Sequence, residues 1–351
     1  MSSRAGIAAV ALPLLAAAGT ARAFVRTTTQ DGKHFLWWPT RRVGYQIQHD
    51  CALRPSGPGS WTSVPPEVAD AGENAAQYSA ACHDAIQRSF AAWQAAGDAG
   101  CTDLELPYLG EVAAREVGYA PDASNVNSVL FQPATCDNVI PPADPCWNAG
   151  DCDTAYPDNP CFSHGDEVIA LTTTTYQPED GTLLDADIEL NNSPASAGGF
   201  DYSAEQPGDP LPGTTDVENT VTHEAGHFIG LAHNCGTLGG PACDATLEQG
   251  VMYANASLVI YGDCDAGPCY EAGEITKRTL KADDVAAVCH VYPVGLGTEV
   301  VNLEDESGQA PVRVTGGLGT TCGGGGGGSW LALLALALLP RRRERSQPTA
   351  T

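Results

Sequence analysis

The sequence predicts an α+β fold, and three stretches carry that expectation. EVIALTTTTY (167–176) is rich in β-branched residues, turns at PEDG, and leads into LLDADIELNN (183–192), so two strands are expected in succession. AACHDAIQRSFAAWQAAG (80–97) spaces Ile86, Phe90 and Trp93 along one face of a helix, where their bulk marks a core contact. TLKADDVAAVCHVY (279–292) forms a final helix with Val285, Val288 and Tyr292 turned inward.

The remaining elements follow in chain order. Residues 1–23 open with one arginine, Arg4, before a short apolar run from Ala5 to Gly19 and a closing Ala21-Arg22-Ala23. That is the layout of a secretory signal, with cleavage expected after Ala23. An early strand is expected over Val43–Gln48, and Leu104 and Leu106 alternate with polar neighbours as in a half-buried strand. Residues 135–164 are rich in proline, aspartate and cysteine and read as a disulfide-tied excursion. In 183–192, Asp185, Asp187 and Glu189 share one face of the strand while Ile188 and Leu190 share the other. The domain is expected to span 24–293, with a Gly- and Glu-rich linker over 294–321 that has little to bury.

The tail, 322–351, begins CGGGGGGSWLALLALALLPRRRER. A cysteine and glycines, a short apolar run and an arginine cluster resemble the MYXO-CTERM sorting tails of myxobacterial surface proteins. That resemblance implies that Cys322 is the processing and anchoring residue and that a C-terminal sorting machinery is a partner. A plain C-terminal membrane anchor is the alternative, and in either case membrane contact runs through the tail alone.

Composition limits the partners. With 43 acidic against 17 basic residues the formal net charge is −26, which argues against nucleic acid or anionic lipid as ligands. Of 13 cysteines, Cys322 opens the tail; the other 12 form an even set, most simply up to six disulfides in an exported, bacterial surface or extracellular protein. No CxxC pair occurs, which speaks against a zinc ribbon or a thioredoxin-like site.

The chemistry concentrates in HEAGHFIGLAH, from His223 to His233. On a helix, His223 and His227 lie one turn apart on the same face and can share one metal ion. Glu224 stands beside the first ligand, where its carboxylate can reach a metal-bound water without ligating. Gly230 tolerates positive φ, ends the helix and turns the chain so that His233 returns as a third ligand. Three nitrogens leave one tetrahedral position open, the signature of a catalytic rather than a structural zinc. The chemistry so implied is hydrolysis of a peptide bond, with Glu224 as general base. His34, His49, His83, His164 and His290 show no ligand spacing.

HExxHxxGxxH followed by Met252 in GVMYAN resembles the metzincin metalloproteases, and within them the matrixins, because Tyr253 follows the methionine directly. The resemblance implies a zincin domain with a twisted mixed sheet, an active-site helix and a C-terminal helix below a Met-turn at Met252. It implies His223, His227 and His233 as zinc ligands, Glu224 as base, a protein or peptide substrate, and Val168–Tyr176 as the edge strand against which that substrate pairs. Departures are also present. The stretch between His233 and Met252 is long and includes Cys235 and Cys243, an expected disulfide-tied insertion. Asn234 replaces the usual serine, and Asp187 replaces the histidine of the family's structural zinc site, so no structural zinc is expected. A structural calcium ion near Asp185, Asp187 and Glu189 is a further expectation. No PRCGxPD segment occurs, so the cysteine-switch latency of animal matrixins is not implied. The alternative function is a surface adhesin or binding module on the same scaffold without proteolysis, against which the intact Glu224 argues.

Overall fold

The computed structural model describes residues 24–49, 51, 75–113, 117–121, 125–149, 161–165, 167–193, 199–204, 210–235, 242–262, 264–265, 267, 269–295 and 312–320. All belong to the compact unit Met1–Thr321. The signal segment, Cys322 and the tail lie outside the described residues, as do residues 150–160 of the expected 135–164 excursion. No helix among the described residues is long and apolar enough to cross a membrane.

The strands in chain order are β1 Val25–Arg26, β2 Tyr45–Gln48, β3 Tyr108–Val112, β4 Ser128–Gln132, β5 Val168–Tyr176 and β6 Leu183–Asn191. They continue with β7 Tyr202–Ser203, β8 Thr215–Asp216, β9 Leu231–Ala232, β10 Asn255–Ala256, β11 Leu258–Gly262, β12 Cys269–Gly273 and β13 Val312–Thr320. The three longer helices are α1 Ala75–Gln94, α2 Val217–Phe228 and α3 Ala282–Val291. The main sheet has the order β10-β13-β5-β6-β4-β2-β3. Its β6-β4-β2-β3 half is parallel, while β5 runs antiparallel to both β6 and β13, so the sheet is mixed and the fold is α+β.

The expected strands at 167–176 and 183–192 are β5 and β6, joined by the turn after Tyr176. Helix α1 turns Ile86, Phe90 and Trp93 fully inward. Phe90 stacks on Tyr45 of β2 with ring centroids 3.7 Å apart and meets Phe228 of α2 edge-on at 5.3 Å. The final helix starts later than expected, at Ala282, because Asp284 reaches back to accept the Lys281 N–H (2.8 Å) and caps it there. Val288 and Tyr292 are buried as expected.

Three expectations need correction. Leu104 and Leu106 are buried, but the regular strand begins at Tyr108; around them the chain makes an isolated bridge of Arg42 with Glu105. Pro107, which lacks an N–H, separates that bridge from β3. The segment 294–321 is not wholly linker, since Val312–Thr320 is a nine-residue strand. Strand addition satisfies main-chain groups and needs few apolar side chains, so a glycine-rich stretch can achieve it. In consequence β5 is not an edge strand: β13 occupies its outer side from Val312 to Gly319.

The acidic face of β6 is buried rather than solvated, with Asp185, Asp187 and Glu189 at most 1% exposed. Asp187 accepts the N–H groups of Gly118 (2.7 Å) and Ser128 (2.9 Å), and Glu189 accepts from Gln132 Nε2 (2.8 Å). These carboxylates stitch β6 to its neighbours. Burial, reinforced by the charge of Asp185, pushes the Asp187 carboxyl well above its usual range. Among the described residues these carboxylates form no group of three or more His, Cys, Asp or Glu donors within 4.8 Å, and the oxygens named above are engaged in hydrogen bonds.

Disulfides join Cys51–Cys82, Cys101–Cys289, Cys136–Cys161, Cys235–Cys243 and Cys264–Cys269, and Cys146 is disulfide-bonded as well. So many cross-links fit an oxidising compartment. The Cys235–Cys243 bond closes the insertion between His233 and Met252 as expected.

Candidate metal centre

Helix α2 carries the first two histidines, and the chain holds it by both ends. At its start Asp216 accepts the Asn219 N–H (2.7 Å) and is clamped by Arg278 through Nε (2.9 Å) and Nη2 (2.5 Å). All twelve residues of α2 are buried, so its polar groups need internal partners. Helix α1 supplies two of them. Trp93 Nε1 donates to Thr222 O (2.8 Å), and Ser89 Oγ lies 3.1 Å from Glu218 O. At the other end, carbonyls left over by the last turn are taken up from afar: Trp38 Nε1 donates to Phe228 O (2.7 Å) and Tyr292 Oη to Ile229 O (3.0 Å).

Gly230 ends the helix as expected, with φ of 85°. A Cβ there would also meet Leu36 O at 2.6 Å, so glycine is required twice over. The turn sends the chain into β9, whose Ala232 pairs with Val25 of β1, and His233 follows at once. The two-residue strand near the start of the described chain therefore positions the third histidine.

The three imidazoles converge. His233 Nε2 lies 3.2 Å from His223 Nε2 and 3.2 Å from His227 Nε2. His223 Nδ1 faces Val251 O at 2.6 Å and His227 Nδ1 faces Leu231 O at 2.8 Å. A carbonyl can only accept, so both Nδ1 atoms carry the proton and both Nε2 atoms present lone pairs. Burial pushes the His223 pKa well below its usual value, with its histidine neighbours adding to the effect, and lowers His227 to about 4. These rings are neutral at pH 7. Both lone pairs face His233 Nε2, which can donate to at most one of them, and a cation among the three nitrogens is what the arrangement fits. No other group of three or more His, Cys, Asp or Glu donors gathers this way among the described residues. His34, His49, His83, His164 and His290 stand outside it, as their spacing implied.

Met252 is buried beside α2, and its preceding residue does the orienting, since the Val251 carbonyl receives the His223 proton. Asp284 of α3 accepts the Val251 N–H (3.1 Å) and so holds that carbonyl in place. Asn234 links both sides of the insertion: its N–H donates to Met252 O (3.0 Å) and its Nδ2 to Leu247 O (2.8 Å). Glu224 is fully buried, and the Thr172 hydroxyl on β5 lies 2.7 Å from its Oε2 and 3.0 Å from its backbone carbonyl.

Sequence reasoning identified the three histidines, Glu224, Gly230 and Met252, but missed Thr172, Asp284 and Gly226. Thr172 and Asp284 sit far away in sequence, inside an expected strand and an expected helix. Gly226 had a signal, being a glycine inside a helix pattern. A Cβ at Gly226 would collide with Met252 Sδ and come within 2.9 Å of Trp93 Cζ2. The Trp93 indole is fixed by its bond to Thr222 O, which leaves the methionine to give way. Gly226→Ala is expected to destabilise the protein by about 1–2 kcal/mol, overpacking outweighing the gain in helix propensity. Urea unfolding measures it, and a more stable variant would show that Met252 is not locked under the helix.

No family model matches the chain, and no curated protein is significantly similar to it.

Proposed function

We propose that the chain is an exported zinc endopeptidase of the metzincin type, closest to the matrixins. The observation supporting this most strongly is the convergence of the His223, His227 and His233 Nε2 atoms, with Glu224 next along the same helix. Three imidazole nitrogens suit zinc, whereas calcium and magnesium take oxygen ligands. The mixed sheet beside the helix and the buried Met252 agree with the expected zincin layout. The disulfides agree with export.

Zinc held by these residues would supply a water acidified to a pKa near 7 and a Lewis acid for the scissile carbonyl. The protein's own part is proton handling and alignment. Glu224 takes one proton as the water oxygen bonds to the carbonyl carbon and gives it to the amine as the C–N bond breaks; the second water proton then passes to the amine as well, leaving a carboxylate and an ammonium group. Thr172 keeps the Glu224 carboxylate aimed by hydrogen-bonding Oε2. Val251 and Leu231 carbonyls keep His223 and His227 in the ligating tautomer.

The test is cleavage of an unstructured protein by the purified full chain. Activity that a zinc chelator removes and added zinc restores supports the reading, and cleavage indifferent to chelation contradicts it. Thr172→Val keeps the shape and loses the hydroxyl, so kcat is expected to fall about tenfold at unchanged zinc content, as a positioning contact does. Unchanged kcat would mean that Glu224 needs no such support.

A further inference from the structure

β13 lies where a peptide substrate would have to pair. Strand β5 carries Thr172, the residue that holds Glu224, and β13 covers its outer side with Gly316 opposite Thr172. Cα atoms of β13 come within 8 Å of those of α2, the helix bearing Glu224 and two of the histidines. β13 then passes on to a second partner: Gly319 and Thr320 pair in parallel with Asn255 and Ala256 of β10, three residues beyond Met252. The register shifts between Leu318 and Gly319, where the strand leaves one partner for the other. One extended segment thus bridges β5 and the chain after Met252. Residues 316–319 read Gly-Gly-Leu-Gly, and a backbone with so few side chains can approach a neighbouring surface closely. In this arrangement Glu224 and His223 are fully buried, and of the three histidines only His233 is more than slightly exposed.

We propose that Val312–Thr320 is a built-in occupant of the peptide-binding edge, which holds the enzyme latent until the segment is displaced. The proposal rests on the peptidase reading and adds its regulation. The chain tethers β13 beside β5, and a tethered strand competes at an effective concentration that a free peptide seldom matches. Its contacts are main-chain pairing, the same currency an extended substrate uses. The enzyme is then active in proportion to the fraction of molecules with β13 released. Latency of this kind needs no cysteine switch.

The test uses the full chain, zinc-loaded, with Val314→Pro and Thr315→Pro combined. In an antiparallel ladder adjacent N–H groups point to opposite sides, so the pair removes at least one bond to β5 whichever way the strand faces. Two readouts are taken together: amide hydrogen exchange across Val168–Tyr176, and cleavage of an unstructured protein. Faster exchange with cleavage raised about tenfold or more is the expected result. Adding a free peptide of sequence VRVTGGLGT should then inhibit the variant again. Unchanged exchange at β5, or wild type cleaving as fast as the variant, overturns the proposal while leaving the peptidase reading intact. Faster exchange with no cleavage by either zinc-loaded protein overturns the peptidase reading and the regulation with it.

Discussion

Glu224→Gln is expected to lose peptide cleavage by about three orders of magnitude while keeping the metal. General acid–base participation is worth roughly 10²–10⁴-fold, and Glu224 is here asked for both proton transfers of one turnover. Glutamine has the same shape and can still accept the Thr172 hydroxyl bond that Oε2 receives at 2.7 Å. It cannot take a proton from water at neutral pH. Since Glu224 is not part of the proposed three-histidine ligand set, zinc content should match wild type. The measurement is turnover on an unstructured protein, alongside metal analysis of the same preparation. Cleavage within threefold of wild type would remove Glu224 from the mechanism. Lost activity together with lost metal would mean that it supports the centre rather than the reaction.

The second large effect is expected at His233. His223 and His227 are set by one helix, but His233 reaches the centre through Gly230 and the β9–β1 pairing. It is also the least buried of the three, so its truncation should leave the core intact. Structural zinc sites bind with roughly 10–16 kcal/mol shared among four donors, which puts one imidazole at about 2.5–4 kcal/mol. His233→Ala is therefore expected to weaken zinc binding several-hundredfold, with little change in unfolding by urea of the metal-free protein. Competition against a chromophoric chelator reads the affinity. Wild-type affinity would exclude His233 from the ligand set.

How far the sequence could be read follows from which interactions are local. The helix of His223 and His227 and its stop at Gly230 are set by local spacing and backbone freedom, while the return of His233 also leans on the distant β9–β1 pairing. β5, β6 and the inward face of α1 were likewise written in short-range patterns. What stayed hidden is long-range. The Thr172–Glu224 contact joins residues 52 apart, and Asp284 reaches Val251 across 33. The acids of β6 read as a possible ion site because alternation assigns a face without saying what covers it; Gly118, Ser128 and Gln132 cover it here. β13 was invisible for the opposite reason. Its glycines lower any strand signal, and its partner is a sheet side that pairs by backbone alone.

X-ray absorption at the zinc edge of the purified full chain would test the centre most directly. The account expects one zinc per chain with three imidazole nitrogens and one further light-atom ligand at about 2.0–2.1 Å. Protein without bound zinc after zinc loading, or a spectrum with sulfur in the first shell, would contradict it.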